Sequence, residues 1–308
     1  MNMERQNKVA AVVVTYNRLE LLRQCVQALG SQSAACDILV VDNASTDGTA
    51  QWLTSQPELN HRNTGGNLGG AGGFNFGMRW AVEAGYEYVW VMDDDTLPQP
   101  DALQKLLEAD DILNGDYGWL SSVVLWIDGS ECKMNRQRLK KSYYEYSPLM
   151  KYGLLQAEQA TFVSLFLRAA AIRRFGLPIK EFFIWGDDIE FTRRIAVRGG
   201  LPCFMVGKSQ VVHATKNNVG SNVALDDVQR IDRYFYAFRN EAYLCRQEGM
   251  KGNLYYIAKR GRDFLRILLH GEPKLIRFRP LLCGMWAGVF FQPEIEYIDG
   301  IKQKASEE

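Results

Sequence analysis

Three apolar runs, each closed by polar residues and each followed by a segment of helical period, constrain this chain more than any other feature. "VAAVVVTY" (9–16) is β-branched and uninterrupted, the pattern of a strand buried on both faces. "DILVVDN" (37–43) and "YEYVWVMDD" (86–94) repeat it. Between them, "LELLRQCVQAL" (19–29) and "GGFNFGMRWAVEAG" (72–85) carry apolar residues at helical spacing and stop at Gly30 and Gly85. "ASTDGTAQWL" (44–53) adds a turn and a short helix. Asn17 and Glu20 read as a capping box ahead of the first helix. Strands alternating with helices predict an α/β fold: a doubly wound, mostly parallel sheet flanked by helices. Such sheets bind ligands at the carboxyl ends of their strands. Polar residues stand at three of those ends: Thr15 with Asn17, Asp42 with Asn43, and Asp93 to Asp95.

Bulk properties narrow the function. Lys+Arg and Asp+Glu are equal at 36 each and 47% of residues are hydrophobic, which excludes a disordered chain and a nucleic-acid-coating one. The six cysteines are scattered with no Cys-x-x-Cys pair, against a disulfide framework or structural zinc and in keeping with a reducing compartment. "VAAVVVTY" has no small-residue cleavage site after it, so a cytoplasmic protein without a signal peptide is expected. The apolar run "LLCGMWAGVFF" (281–291) is too short to span a bilayer.

"VWVMDDDTLPQP" (89–100) places three carboxylates at the mouth of a buried strand. One aspartate there is an ordinary turn residue. Three repel one another and call for a counter-charge. A divalent cation supplies it, because Mn²⁺ and Mg²⁺ prefer oxygen ligands and bridge to phosphates. In extended geometry Asp93 and Asp95 point the same way. The glycine-rich "NTGGNLGGAGGFNFG" (63–77) is not a dinucleotide fingerprint, since that belongs in the first strand-to-helix turn, here "TYNR". It reads either as a flexible loop or as a loop whose backbone approaches a ligand ahead of a helix N-terminus, with Asn67 and Gly70 as contacts.

A second acidic cluster lies in "EFFIWGDDIEFTRRIAVRGG" (181–200). Asp187 and Glu190 fit a capping box, with Gly199 ending the helix. Asp188 follows Phe182, Phe183 and Trp185, aromatics able to exclude water and stack on a sugar ring, and a carboxylate there is placed to accept a proton from a hydroxyl. The helix dipole lowers its pKa and aromatic burial raises it, two opposed effects. His213, after an apolar strand in "SQVVHATKNN", is either a structural histidine or the third member of an Asp/Asp/His metal shell.

Together, "VVVTYNRLELLRQCVQAL", "ILVVDNASTDGTAQWL", "NLGGAGGFNFG", "VWVMDDDTLPQPDAL" and "FFIWGDDIEF" resemble the family 2 glycosyltransferases of the GT-A fold, and within them the bacterial galactofuranosyl- and rhamnosyltransferases. The resemblance covers about residues 8–240, including "YFYAFRNEAY" (234–243). It implies an inverting, metal-dependent transfer of a sugar from a UDP- or dTDP-sugar to a glycan or lipid-linked glycan in cell-surface polysaccharide synthesis. UDP-galactofuranose is the first expectation for the donor and dTDP-rhamnose the second. Carried over residue by residue, Asp93 and Asp95 match the metal-binding acids, His213 a third ligand of the galactofuranosyl branch, and Asp188 the catalytic base. Thr15, Asn17, Asp42 and Asn43 match nucleotide-holding positions, with Asn67, Gly70 and Asp94 beside them. Trp185 and Asp187 fall on the acceptor side. The larger polymerising members carry an extra N-terminal domain that this chain lacks, which favours single additions.

Residues 1–215 are expected to form the catalytic domain and 216–308 a C-terminal helical region. From Lys251 to Pro280 eight Lys/Arg face two acids, a net +6 interleaved with apolar residues. That is either a solvated helix face or a surface touching anionic lipid on the cytoplasmic face of the inner membrane. Two other classes compete. A D-x-D phosphohydrolase usually has Thr or Val four positions after its first Asp, where this chain has Leu97. A non-catalytic sugar-nucleotide-binding module has no use for Asp188.

Overall fold

Every residue of β1 (Val9–Thr15) is buried, as an uninterrupted apolar run requires. The computed structural model describes residues 8–299. Its strands are β1, β2 (Asp37–Asp42), β3 (Asn60–Asn63), β4 (Tyr88–Asp93), β5 (Thr96–Pro98), β6 (Leu120–Trp126), β7 (Arg138–Leu139), β8 (Leu154–Gln159), β9 (Leu165–Arg168) and β10 (Phe204–His213). They form one sheet in the order β3-β2-β1-β4-β9-β6-β10-β8-β7, with β5 paired to β10. The doubly wound α/β architecture expected from the sequence is therefore present. The β3-β2-β1-β4 half is wholly parallel, and β9 enters antiparallel between β4 and β6.

Helices cover both faces. On one side α1 (Leu19–Gly30) and α4 (Ala102–Leu113) pack Leu22, Cys25, Leu103 and Leu106 against Ala11, Val13, Trp90 and Met92. On the other, α3 (Gly69–Glu83) sets Phe74, Met78 and Ala81 on Ala10, Val12, Val89 and Val91. Alternate residues of β1 thus serve opposite cores, which is why the run shows no polar alternation. α2 (Thr49–Thr54), α5 (Ala169–Phe175) and α6 (Asp187–Arg193) complete the catalytic part.

The last strand ends at His213, just before the expected 215/216 division. Beyond it α7 (Tyr234–Arg246), α8 (Gly249–His270) and α9 (Lys274–Phe290) form the anticipated helical extension. They share a small core of Ile231, Tyr234, Phe238, Ile267 and Leu281. The chain after α9 returns to the sheet side, where Leu177 N donates to Glu296 O at 2.8 Å.

Two expected capping boxes do not form. The Asn17 carboxamide oxygen instead accepts from Thr46 N at 2.7 Å, and α1 is capped from a distance by Asp47, whose carboxylate accepts from Leu19 N at 3.1 Å. Gly186, not Asp187, is the N-cap of α6, and Glu190 is buried in ion pairs with Arg194 and Arg198. At α1 a tertiary partner outcompetes the local one; at α6 the competitors are arginines of the same helical segment.

Candidate active site

Strand register builds the rim. Thr15 lies opposite Asp42, Val14 opposite Asp93, and Asp42 opposite Asn63, so the polar strand ends of β1, β2, β3 and β4 finish at one level. After Asp93 the chain turns through Asp94 and Asp95 and re-enters the sheet as β5, alongside β10. That pairing sets Thr96 against His213, and Ala214 N donates to Asp95 O at 2.8 Å. One ligand atom each from Asp93, Asp95 and His213 then lies within 4.8 Å of the others. Asp93 and Asp95 converge, as expected, but through this turn and not through continued extended geometry.

The surroundings of the cluster suit a cation. Asp94 and Asp95 are buried at 3% and 5% exposure. Asp94 accepts from Thr15 Oγ1 at 2.7 Å and from Arg18 Nη1 at 3.2 Å, and Arg18 Nη1 also reaches Asp95 Oδ2 at 2.7 Å. Among the described residues no hydrogen-bond donor reaches the Asp93 carboxylate. Burial and repulsion from Asp95 push its pKa up to about 7. Burial, only partly opposed by Arg18, holds Asp94 at about 6. Burial also acts on Asp95, but the hydrogen bond and charge of His213 leave it below the ordinary range. Burial disfavours the His213 cation, yet Asp95 outweighs it and raises the imidazole to about 10. Its Nδ1 donates to Asn135 Oδ1 at 2.7 Å, and Asn135 Nδ2 donates in turn to Thr161 Oγ1 at 3.0 Å. With Nδ1 so occupied, Nε2 is the nitrogen that faces Asp95, at 3.0 Å, and the acidic cluster. Two carboxylates and an oriented imidazole, one carboxylate lacking a donor, fit an oxygen-preferring divalent ion with a supported histidine.

The other expected contacts divide. Asp42 is buried and spent on its own rim: Oδ1 accepts from Ser45 N at 2.9 Å and Oδ2 from Asn63 Nδ2 at 2.8 Å. Asn43 is also buried and donates to Gly69 O at 2.9 Å. Asn67 is exposed and accepts from Gly69 N at 2.9 Å, tying down the start of α3. Asn17 is exposed at the rim with φ of 53°.

The glycine segment corrects the loop reading. Helix α3 begins at Gly69, so most of the glycines are helical. A Cβ at Gly73 would lie 2.4 Å from Val14 Cγ1, and one at Gly77 2.4 Å from Val12 Cγ1. These two let the helix sit close on β1. At Gly69, with φ of +71°, a Cβ would lie 2.1 Å from Phe183 O, because this turn abuts the second acidic loop. Gly70 alone of those residues has open space where a Cβ would stand. Gly73→Ala is expected to lower stability by about 1–3 kcal/mol by overpacking, seen as a lower urea midpoint with unchanged slope.

That second loop is held under strain. Phe183 and Trp185 have φ of 62° and 66°, and Gly186 follows at 90°. Non-glycine residues in this region are costly and persist only where neighbours over-determine them. The neighbour is Asn240 of α7. It is buried, and its Nδ2 lies 2.9, 3.1 and 2.9 Å from the carbonyls of Phe182, Ile184 and Trp185. Trp185 packs edge-on against Tyr234, with ring centres 5.1 Å apart. At the end of the loop Asp187 is buried and Asp188 half-buried. Burial, with the charges of Asp188 and Asp93, raises Asp187 well above the carboxylate range. Burial raises Asp188 less, to about 6, because Ile189 N donates to it at 2.7 Å.

Sequence reasoning passed over Arg18, Asn135 and Asn240. Arg18 sits three residues after Thr15 in "TYNR" and carried a readable signal, a lone cation at a strand end facing an acidic triplet. Asn135 and Asn240 act across 78 and 55–58 residues of chain; no local pattern marks Asn135, and "YFYAFRNEAY", which holds Asn240, gave it no role. Asn240→Ala is expected to lower kcat by about tenfold or more through a displaced acidic loop. Nucleotide-sugar affinity should stay within a factor of about two, because the bonds that Asn240 Nδ2 donates all run to the second loop. An unchanged kcat would remove Asn240 from this role.

Comparison with known proteins follows the same lines. A family model described as glycosyl transferase family 2 matches residues 10–175. Galactofuranosyltransferase GlfT1 of Mycolicibacterium smegmatis is 29% identical over 264 residues, covering 81% of this chain and 86% of the relative. Among solved structures, the mannosyltransferase PcManGT from Pyrobaculum calidifontis, in complex with GDP-Man and Mn²⁺, superposes with a TM-score of 0.55 at 16% identity, covering 92% of this chain and 88% of that one. GalNAc-T7 with UDP, GalNAc and Mn²⁺ gives a TM-score of 0.58 at 13% identity, covering 80% of this chain and 52% of the other. These two likenesses concern the fold, which is that of GT-A glycosyltransferases.

Proposed function

Because the chain belongs to glycosyl transferase family 2 and is a glycosyltransferase, we propose that it transfers a sugar, with inversion, from a nucleotide-sugar to a hydroxyl of a glycan or lipid-linked glycan. The observation that carries this reading is the convergence of Asp93, Asp95 and His213 on one point of the rim. Asp93, Asp95 and His213 would hold Mn²⁺ or Mg²⁺. When bound, such an ion neutralises the charge that a diphosphate leaving group develops.

The chain's own groups do the rest. Thr15 and Arg18 fix Asp94 and Asp95, and the Arg18 guanidinium adds positive charge at the rim. The loops organised by Asn17, Asp42, Asn43 and Asn67 shape the nucleotide side, with Gly70 at an open approach. Trp185 and Asp187 lie on the acceptor side. Asp188 takes the proton of the acceptor hydroxyl as its oxygen attacks the anomeric carbon, while the bond to the diphosphate oxygen breaks and that oxygen keeps the electron pair. Burial lifts Asp187 well above the carboxylate range and Asp188 only to about 6, so Asp188 is the more readily ionised of the two.

UDP-galactofuranose is the favoured donor and dTDP-rhamnose the second, in line with the relative named galactofuranosyltransferase. A lipid-linked acceptor places the enzyme peripherally on the cytoplasmic face of the inner membrane, with residues 1–215 as catalytic unit and 216–308 towards the acceptor. Thermal-shift titration of UDP- and dTDP-sugars, with and without Mn²⁺, tests the donor. The expected result is a metal-dependent rise in Tm with UDP-galactofuranose. A rise with dTDP-rhamnose alone selects the second donor, and no rise with any nucleotide-sugar overturns the reading.

A further inference from the structure

No helix of the described residues is long and apolar enough to cross a membrane, yet α8 and α9 leave large apolar side chains in solvent. On α8, Leu254, Ile257, Leu265 and Leu268 recur at helical spacing on one face, at 62%, 64%, 55% and 46% exposure. On α9, Leu282 and Trp286 stand one turn apart at 56% and 70%. Phe264 borders the first stripe and Phe278 the second, and their rings meet with centroids 4.8 Å apart. The two stripes therefore join into one patch, larger than the scattered apolar residues a soluble surface carries.

Charge identifies what covers it. Much of the +6 of this segment is used internally. Lys259 and Arg260 pair with Glu241, while Arg277 is buried against the carbonyls of Val223 and Asp226. Lys251, Arg262 and Arg279 make no ion pair among the described residues and are exposed. The two acids of the segment are already engaged, Asp263 by Arg260 at 3.0 Å and Glu272 by Lys274 at 3.7 Å. A second copy of the chain would bring these free cations against one another. An anionic lipid surface takes both the apolar stripe and its basic edge.

We infer that the outer face of α8 and α9 lies in the plane of an anionic bilayer and docks the enzyme there. The inference deepens the lipid-linked-acceptor reading and supplies that acceptor's route to the site.

The test uses the full chain and sedimentation with vesicles of pure phosphatidylcholine or of phosphatidylcholine with phosphatidylglycerol. Wild type should pellet with the anionic vesicles and weakly with the neutral ones, and high salt should release part of it, since charge attraction is screened and apolar insertion is not. The variant Leu254→Ser/Ile257→Ser/Leu282→Ser changes only exposed positions and should lose about tenfold or more in vesicle affinity. Lys251→Glu/Arg262→Glu should lose the preference for anionic lipid. Wild type bound to neither vesicle, or a serine variant that pellets like wild type, overturns the proposal. So does a dimer in solution that the serine substitutions dissolve, which would assign the face to a second copy. Turnover on a short soluble acceptor should be unaffected by these substitutions. Vesicle binding without turnover on any acceptor would reject the functional reading and leave the docking face standing.

Discussion

Asp95→Ala is expected to cut sugar transfer by about 10²–10³-fold or more and to remove the enhancement by Mn²⁺ of nucleoside diphosphate binding. The loss follows from geometry. Asp95 contributes one of the three ligand atoms that lie within 4.8 Å of one another, and its neighbours offer no replacement oxygen free of its own bonds except Asp93. The fold should survive. Arg18 is 43% exposed and can return its guanidinium to water, and His213, raised to about 10 chiefly by Asp95 against the pull of burial, becomes neutral once that carboxylate is gone. Asp95→Asn preserves shape and one acceptor oxygen, so it separates lost packing from lost charge. Calorimetric titration of UDP with and without Mn²⁺, beside a turnover assay and a circular dichroism spectrum, reads all three effects. Full activity of the wild type in excess chelator would end the metal assignment.

Asp188→Asn should lower turnover by about 10²-fold or more while donor affinity barely moves. The amide keeps the volume and can still accept from Ile189 N, so the helix start is preserved. What it cannot do is take a proton. The pH profile adds a second signature. Burial raises Asp188 to about 6, so its carboxyl is ionised above that pH and protonated below it. Wild-type turnover should therefore be level near neutrality and fall roughly tenfold per unit as pH drops below about 6. The residual activity of Asp188→Asn should lack that limb. Asp187→Asn is the control, because Asp187 lies one residue away and is more deeply buried. If Asp187→Asn is inactive while Asp188→Asn turns over normally, the base is Asp187. If both remain active, it lies elsewhere.

Much of this site was legible in the chain itself. The apolar runs at 9–16, 37–43 and 86–94 could only be two-face-buried strands, and helices between them left a parallel sheet whose polar strand ends share a rim. The aspartate triplet stood out because like charges at the mouth of a strand need an explanation wherever they are. Local capping was the least reliable inference. Asn17 and Asp187 both matched a capping pattern, but Thr46 claimed the first, and at the second Gly186 took the cap while Arg194 and Arg198 claimed Glu190. The glycines of 69–77 were assigned the wrong reason. A sequence reports that a side chain is missing but not which surface comes close, and here that surface is β1 at Gly73 and Gly77 and the Phe183 turn at Gly69.

What the sequence alone determined, then, is whatever depends on short-range period and on composition: the strands, the helices between them, the rim, and the presence of clustered carboxylates. Tertiary structure decided which of those groups meet. His213 reaches Asp95 across 118 residues because β5 pairs with β10, and Asn135 then fixes which imidazole nitrogen faces the acids. Asn240 reaches the acidic loop from a helix that the sheet pattern never touches. The division is physical. Periodicity is a property of neighbours along the chain, whereas register, approach distance and the raised pKa of a buried acid arise only when segments far apart in sequence exclude water from the same place.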